Sequence, residues 1–312
     1  MSLFGLSQPA PMLYSLLSRY QGALCGTALA GGTIHQLSPT TLPHREWHGK
    51  DCCVTIDPTY GNPQTLPGSI VAALIQHGQS GLDLLCDDGR CQPKSQIECW
   101  MSLIPLALFF HEDREKFRQV LGKLATALQL PSSFVDRAGI VGYTISRILD
   151  ETFNGATLIP QILNDSQSIG VEPELAQQLA TLQTLLDRGA SLEETQILFA
   201  RRRSTPPQNS TDDRYSIALA LYCFLSTPED LPLSLRRSWR LQDRSPVVAL
   251  LTAAFSGTYN GYGGIPAPWR MATDERIRQL ALRLYASWAG VCDASQTTSE
   301  SWLPVVRTPK KL

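Results

Sequence analysis

The sequence predicts an all-α fold, one domain of about ten helices. Three observations carry that expectation. No stretch of any length alternates apolar and polar residues with the period of a strand. Residues 114–128 and 277–288 space their apolar residues as one face of a helix does. Residues 245–261, Ser-Pro-Val-Val-Ala-Leu-Leu-Thr-Ala-Ala-Phe-Ser-Gly-Thr-Tyr-Asn-Gly, are apolar or small on every face, which belongs to a helix inside a core. About a dozen such residues fall short of the roughly 20 needed to cross a bilayer.

Composition agrees with that reading. The 312 residues are 43% hydrophobic and 18% charged, enough apolar content for a sizeable core. A formal net charge of −1 gives no whole-protein reason to expect nucleic acid or an anionic membrane as partner. The first residues, Met-Ser-Leu-Phe-Gly, lack the basic and apolar regions of a secretion signal. A cytoplasmic protein with its eight cysteines reduced is therefore expected. Cys25 and Cys223 lie in apolar helical patterns and read as core. Cys86 and Cys91 bracket four residues with no second pair, which reads as a hairpin-like loop rather than zinc ligation.

In chain order, residues 1–13 read as a flexible lead-in. From Leu13 a helix carries Leu16, Leu17, Tyr20, Leu24, Ala28 and Leu29 at helical spacing. Its glycines, Gly22, Gly26, Gly31 and Gly32, imply close helix packing or backbone approach to a ligand. Residues 33–67, rich in proline, predict a long loop. His44 and His48 stand four apart there, but between Pro43 and Gly49 the segment is too short for a helical metal site. Residues 68–77 predict a short apolar helix and 78–95 an acidic loop. Pro105 predicts a kink or break within 97–111. Helices follow over 114–128, 132–153 (capped by Ser132 or Ser133), 173–187 and 192–202, the last with a Ser191–Glu194 capping box. Residues 203–212 form a polar break. Buried helix 213–225, basic helix 231–239, the helix capped by Ser245 and opened by Pro246, and a last helix ended by Gly290 complete a domain over 14–290. Residues 291–312 read as a flexible tail.

Four passages then acquire meaning together. They are Arg19-Tyr-Gln-Gly-Ala-Leu-Cys-Gly-Thr-Ala-Leu-Ala-Gly-Gly32, Met101-Ser-Leu-Ile-Pro-Leu-Ala-Leu-Phe-Phe110, Ala218-Leu-Ala-Leu-Tyr-Cys-Phe-Leu225, and Gly257-Thr-Tyr-Asn-Gly261 with Ile265-Pro-x-Pro-Trp269. In order and spacing, across about residues 14–290, the chain resembles the ADP-ribosylglycohydrolase family. The resemblance implies an orthogonal helix bundle whose active members remove ADP-ribose from modified side chains. It also implies two magnesium-like ions, held by carboxylates of a Thr-Asp-Asp-Thr motif and a Gly-Asp-Thr-Asp-Thr motif, which position and activate water.

Those carboxylates do not match here. The first motif falls on Leu66-Pro67-Gly68-Ser69 and the second on Asp243-Arg244-Ser245-Pro246-Val247. The family's aspartate in the first helix falls on Gly31. Its Gly-Asn-Gly stretch near the substrate falls on about Gln96-Ile97-Glu98, and its arginine after methionine on Ser102. Pro67 and Pro246 keep the helix starts. Thr211-Asp212-Asp213-Arg214 resembles the first motif only superficially and reads as a helix cap.

The expectation is a non-catalytic relative without catalytic residues or metal. It would bind a protein partner or an ADP-ribose-like ligand, and neither nucleic acid nor membrane. Ser69, Asp243, Arg244 and Ser245 are its candidate ligand-binding residues. Two alternatives stand beside it. One is a hydrolase rebuilt on Asp83, Asp87, Asp88, Asp243 or Glu98, if several of these converge. The other is a metal-independent phosphate-binding module, with the Arg244 guanidinium where a metal ion would sit.

Overall fold

The computed structural model describes residues 14–36, 59–88, 93, 95–150, 153–201, 215–241 and 246–291. Among them the regular elements are helical and no strand occurs. α1 (Leu16–Gln36) packs along α13 (Pro246–Asn260), and this pair is the middle of the molecule. α13 buries every residue from Val247 to Thr258. The contact between the two is backbone on backbone. A Cβ added to Gly22 would lie 2.2 Å from Gly257 O, and one added to Gly257 would lie 2.2 Å from Gly22 O. A Cβ on Gly26, one turn on, would stand 2.9 Å from Ala253 O. Gly22 and Gly26, like Ala253 and Gly257, are four residues apart, so each pair shares a helix face. Of the two readings of the α1 glycines, close helix packing holds at 22 and 26.

Other helices close around this pair. α11 (Ser216–Leu225) and α12 (Leu231–Arg240) pack on α13, as do α4 (Gln96–Phe109) and α6 (Ser132–Leu149). α15 (Glu275–Trp288) covers α1 and α2 (Leu66–His77), while α5 (Arg114–Ala127) lies on α6. α9 (Pro173–Asp187) bridges α7 (Gly155–Asn164) and α11, and α10 (Leu192–Arg201) follows it. Cys25 and Cys223 are fully buried, as their patterns predict.

The helices outnumber the expected ten. α3 (Gln79–Asp88) occupies the stretch read as an acidic loop. It is anchored by buried Leu82, and a Cβ on Gly81 would meet Ala73 O at 2.5 Å, so close approach to α2 stabilises it rather than local pattern. α7, α8 (Ser166–Ile169) and α14 (Ala267–Ala272) also arise where no helix is expected. The predicted loop 33–67 overlaps the end of α1 and the start of α2. α6 begins after Pro131 with no side-chain cap, not at a capping serine. Ser191 Oγ does accept from Glu194 N at 3.1 Å, but the Glu194 carboxylate turns to Arg188 instead of closing the box. Gly290, at φ 65°, ends α15 as expected. His44, His48, Cys91, the polar break and the Ser245 cap lie outside the described residues.

Pro105 does not break α4. A proline inside a helix removes the amide that would bond the carbonyl four residues earlier. That carbonyl belongs to Met101, and the hydroxyl of fully buried Tyr60 donates to it at 3.2 Å. Thr27 Oγ1 on α1 lies 3.3 Å from the same hydroxyl. Tyr60 therefore repairs the ladder of α4 and ties it to α1.

A second polar knot joins α1, α4 and α6. The Tyr20 hydroxyl and His111 Nδ1 both reach Leu108 O, the latter at 2.7 Å, and Ser146 Oγ donates to His111 O at 2.6 Å. The His111 ring also faces Trp288 of α15, with centroids 4.9 Å apart. Burial lowers the His111 pKa from its ordinary value.

Two outcomes follow. Tyr60→Phe orphans Met101 O and is expected to cost about 1–3 kcal/mol in urea unfolding. Adding Pro105→Ala restores an amide to that carbonyl and should recover most of the loss; simple additivity would show that the two residues do not share it. For His111, the folded form takes a proton less readily than the unfolded chain. Its contribution is complete above the ordinary histidine pKa of about 6.5 and is lost as pH falls through the lower folded value. Unfolding midpoints measured from pH 7.5 to 5.5 should fall more steeply in the parent protein than in His111→Gln.

Candidate functional site

The start of α2 is where the resemblance looks for metal-binding carboxylates. Thr65 is the N-cap: its Oγ1 accepts from Gly68 N at 3.3 Å and donates to Asn62 O at 2.8 Å. Ser69 Oγ donates to Pro63 O at 2.7 Å, and Asn62 Oδ1 accepts from Gln64 N at 3.0 Å. Leu66 is 1% exposed and Pro67 and Gly68 are also buried. The first turn is thus apolar, and its hydroxyls serve the chain's own backbone. On α4, Ser102 is fully buried and its Oγ donates to Glu98 O at 2.6 Å. Hard divalent cations take several oxygen ligands, chiefly carboxylates. Leu66 to Ser69 do not fit that requirement.

Of the ligand-binding candidates, the structure places Ser69 in this turn. Asp243, Arg244 and Ser245 lie outside the described residues. Of the carboxylates considered for a rebuilt site, Asp83 is engaged by Lys123 Nζ at 2.7 Å on the surface of α3. Glu98 lies in the first turn of α4, and the side chains of Asp87, Asp88 and Asp243 are not described. Among the described residues no group of three or more His, Cys, Asp or Glu side chains comes together as a metal site.

A cleft of about 450 Å³ opens between the starts of α4 and α6. It is lined by Ser95, Gln96, Cys99, Ser133, Phe134 and Arg137, among others. The size falls within the roughly 300–1,000 Å³ of small-molecule sites. Ser95 caps α4, accepting from Glu98 N at 3.4 Å. Two helix N-termini thus open on one space, and both carry partial positive charge. Trp100 and Phe134, with ring centroids 4.8 Å apart, form an aromatic floor. Burial pushes the Cys99 thiol up to about 11, so it is a poor nucleophile at neutral pH.

Arg137 is the residue that sequence reasoning missed. Its Nε is buried and has no hydrogen-bond partner. Buried polar groups are nearly always bonded, so such an atom calls for an explanation. The rest of the guanidinium lines the cleft beside two helix starts, a setting that suits an anion, especially phosphate. The available signal was indirect: the substrate-side stretch of the resemblance falls on about Gln96 to Glu98, at the rim of this cleft.

Comparison with known proteins gives the following. A family model described as ADP-ribosylglycohydrolase matches residues 44–294. A solved structure titled ADP-ribosylglycohydrolase-related protein complex has a TM-score of 0.58 and 16% sequence identity, and the match covers 88% of this chain and 99% of that one. At that identity the likeness speaks for the fold. No curated protein sequence matches.

If Arg137 serves a ligand rather than the fold, Arg137→Met should change the unfolding free energy measured in urea by no more than about 0.5 kcal/mol. A loss of several times that would mark it as structural.

Proposed function

Because the chain belongs to the ADP-ribosylglycohydrolase family, we propose that it keeps the family fold as a binding scaffold and has given up metal-dependent hydrolysis. The observation that carries this reading is the first turn of α2. Leu66 and Pro67 are buried there, the Ser69 hydroxyl is tied to Pro63 O, and no carboxylate takes part. A pair of magnesium-like ions would lack its ligands at that turn.

Binding falls to the cleft between α4 and α6. Arg137 and the two helix starts would hold phosphate oxygens, with Ser95 and Ser133 beside them. The Trp100–Phe134 floor suits an apolar or aromatic part of the same ligand. A nucleotide-like molecule such as ADP-ribose combines both. This gives Arg137 the phosphate-binding part that the sequence alone suggested for Arg244. The alternative of a rebuilt hydrolase loses Asp83 to its ion pair with Lys123. No helix among the described residues is long and apolar enough to cross a membrane. Cys25, Cys99 and Cys223 are free thiols, which fits a reducing, cytoplasmic setting.

Two measurements test the reading. Incubation with ADP-ribosylated protein and magnesium should release no ADP-ribose, and steady release would refute the loss of hydrolysis. ADP-ribose at about 100 times its dissociation constant should add roughly 2.7 kcal/mol of stability, and Arg137→Met should abolish the gain. An unchanged melting curve at saturating ADP-ribose would refute the binding cleft.

A further inference from the structure

A second cleft, of about 650 Å³, opens where α1 begins, beside the turn after α4 and the end of α6. Arg19 and Gly31 are twelve residues apart on α1, or about 18 Å at 1.5 Å per residue. This cleft is therefore remote from the position where α1 would meet the family's metal ions.

Arg19 lines the cleft although it is only 4% exposed. Its Nε donates to Tyr14 O at 3.3 Å and its Nη1 to Ile148 O at 2.7 Å. Ile148 lies in the last turn of α6, where carbonyls lack amide partners and the helix end is partly negative. A guanidinium has five N–H donors. These two bonds leave three, and no ion pair joins Arg19 to a carboxylate among the described residues. Arg114 lines the same cleft, 4.5 Å above the Tyr143 ring and 3.9 Å from Asp165. Of the acidic residues in the lining, Asp150 is engaged by Arg147 at 2.8 Å, while Glu112 is exposed.

Arg114 and Ser146 also line a neighbouring pocket of about 240 Å³, so the two hollows adjoin at these side chains. Phe110, Phe117 and Ile169 make its apolar wall. Gly142 gives Phe117 its place, since a Cβ there would lie 2.2 Å from the ring. The pocket is smaller than the roughly 300–1,000 Å³ that encloses a whole small molecule. It suits one large apolar side chain of something that continues past Arg114 into the polar cleft.

We propose that this paired surface docks a short peptide segment of a protein partner, with one large apolar side chain flanked by carboxylates. The side chain enters the Phe110–Phe117–Ile169 pocket, and the carboxylates meet Arg114 and the spare donors of Arg19. The proposal deepens the scaffold reading by naming the chemistry of a partner. It uses none of the residues of the α4–α6 cleft, so either can fail while the other stands.

The test uses the full chain and three fluorescein-labelled pentapeptides: Gly-Glu-Phe-Asp-Gly, Gly-Glu-Ala-Asp-Gly and Gly-Lys-Phe-Lys-Gly. Anisotropy should show saturable binding of the first, weakening as salt rises. The alanine peptide should bind at least about tenfold more weakly, since one buried anchor carries much of such an interface. The basic peptide should not bind. Arg114→Glu, at a side chain 46% exposed, should weaken the first peptide by at least about tenfold in protein that still melts cooperatively. Equal binding of acidic and basic peptides would overturn the proposal, as would indifference to Arg114→Glu. Binding of dodecanoate without binding of any peptide would overturn it in favour of a fatty anion.

Discussion

Where Gly22 and Gly257 meet, two helix backbones come closer than any side chain permits. Most of the architecture depends on that approach. Ordinary helix pairs stand 8–10 Å apart with side chains between them. Here Gly22 and Gly26 let α1 lie against α13, and α13 can then be covered on its other sides by α4, α6, α11 and α12. An interior at crystal-like density transmits any change of spacing to its neighbours. The seam therefore also sets where the first turn of α1 lies, and with it the position of Arg19 against the end of α6.

What could be read from the sequence divides along physical lines. α5 and α15 were legible because their apolar residues follow a local period, and α13 because it is apolar or small on every face. α3 and α7 were not. α3 owes its place to Leu82 and to the approach of Gly81 to Ala73, both of which exist only once α2 is folded. α7 carries Pro160 inside it, which sequence rules count against a helix. The same rules read Pro105 as a break, because the remedy stands 45 residues upstream, at Tyr60 in a proline-rich stretch.

The candidate site shows a similar division. That the first carboxylate motif of the resemblance falls on Leu66, Pro67, Gly68 and Ser69 could be read from the sequence. The cleft between α4 and α6 was not, since Ser95, Ser133 and Arg137 are ordinary residues for helix starts and helix surfaces. Arg137 stands out by the burial of one nitrogen without a partner, which is a property of packing. Likewise Arg19 belongs to a recognisable passage, but its carbonyl partners come from Tyr14 and Ile148, and Ile148 is 129 residues away.

The bond between Tyr60 and Met101 also makes the order of substitution at the two positions matter. A chain that acquired Pro105 while residue 60 lacked a hydroxyl would carry a buried, unbonded carbonyl. In the reverse order, Tyr60 would arrive while the amide at 105 still satisfied Met101, and a carbonyl oxygen accepts two bonds. Only the second route stays on stable ground at each step. Once both residues are present, losing the tyrosine alone exposes the cost that the proline had hidden. The dependence runs one way: with both residues present, the proline can be exchanged without orphaning Met101 O, but the tyrosine cannot.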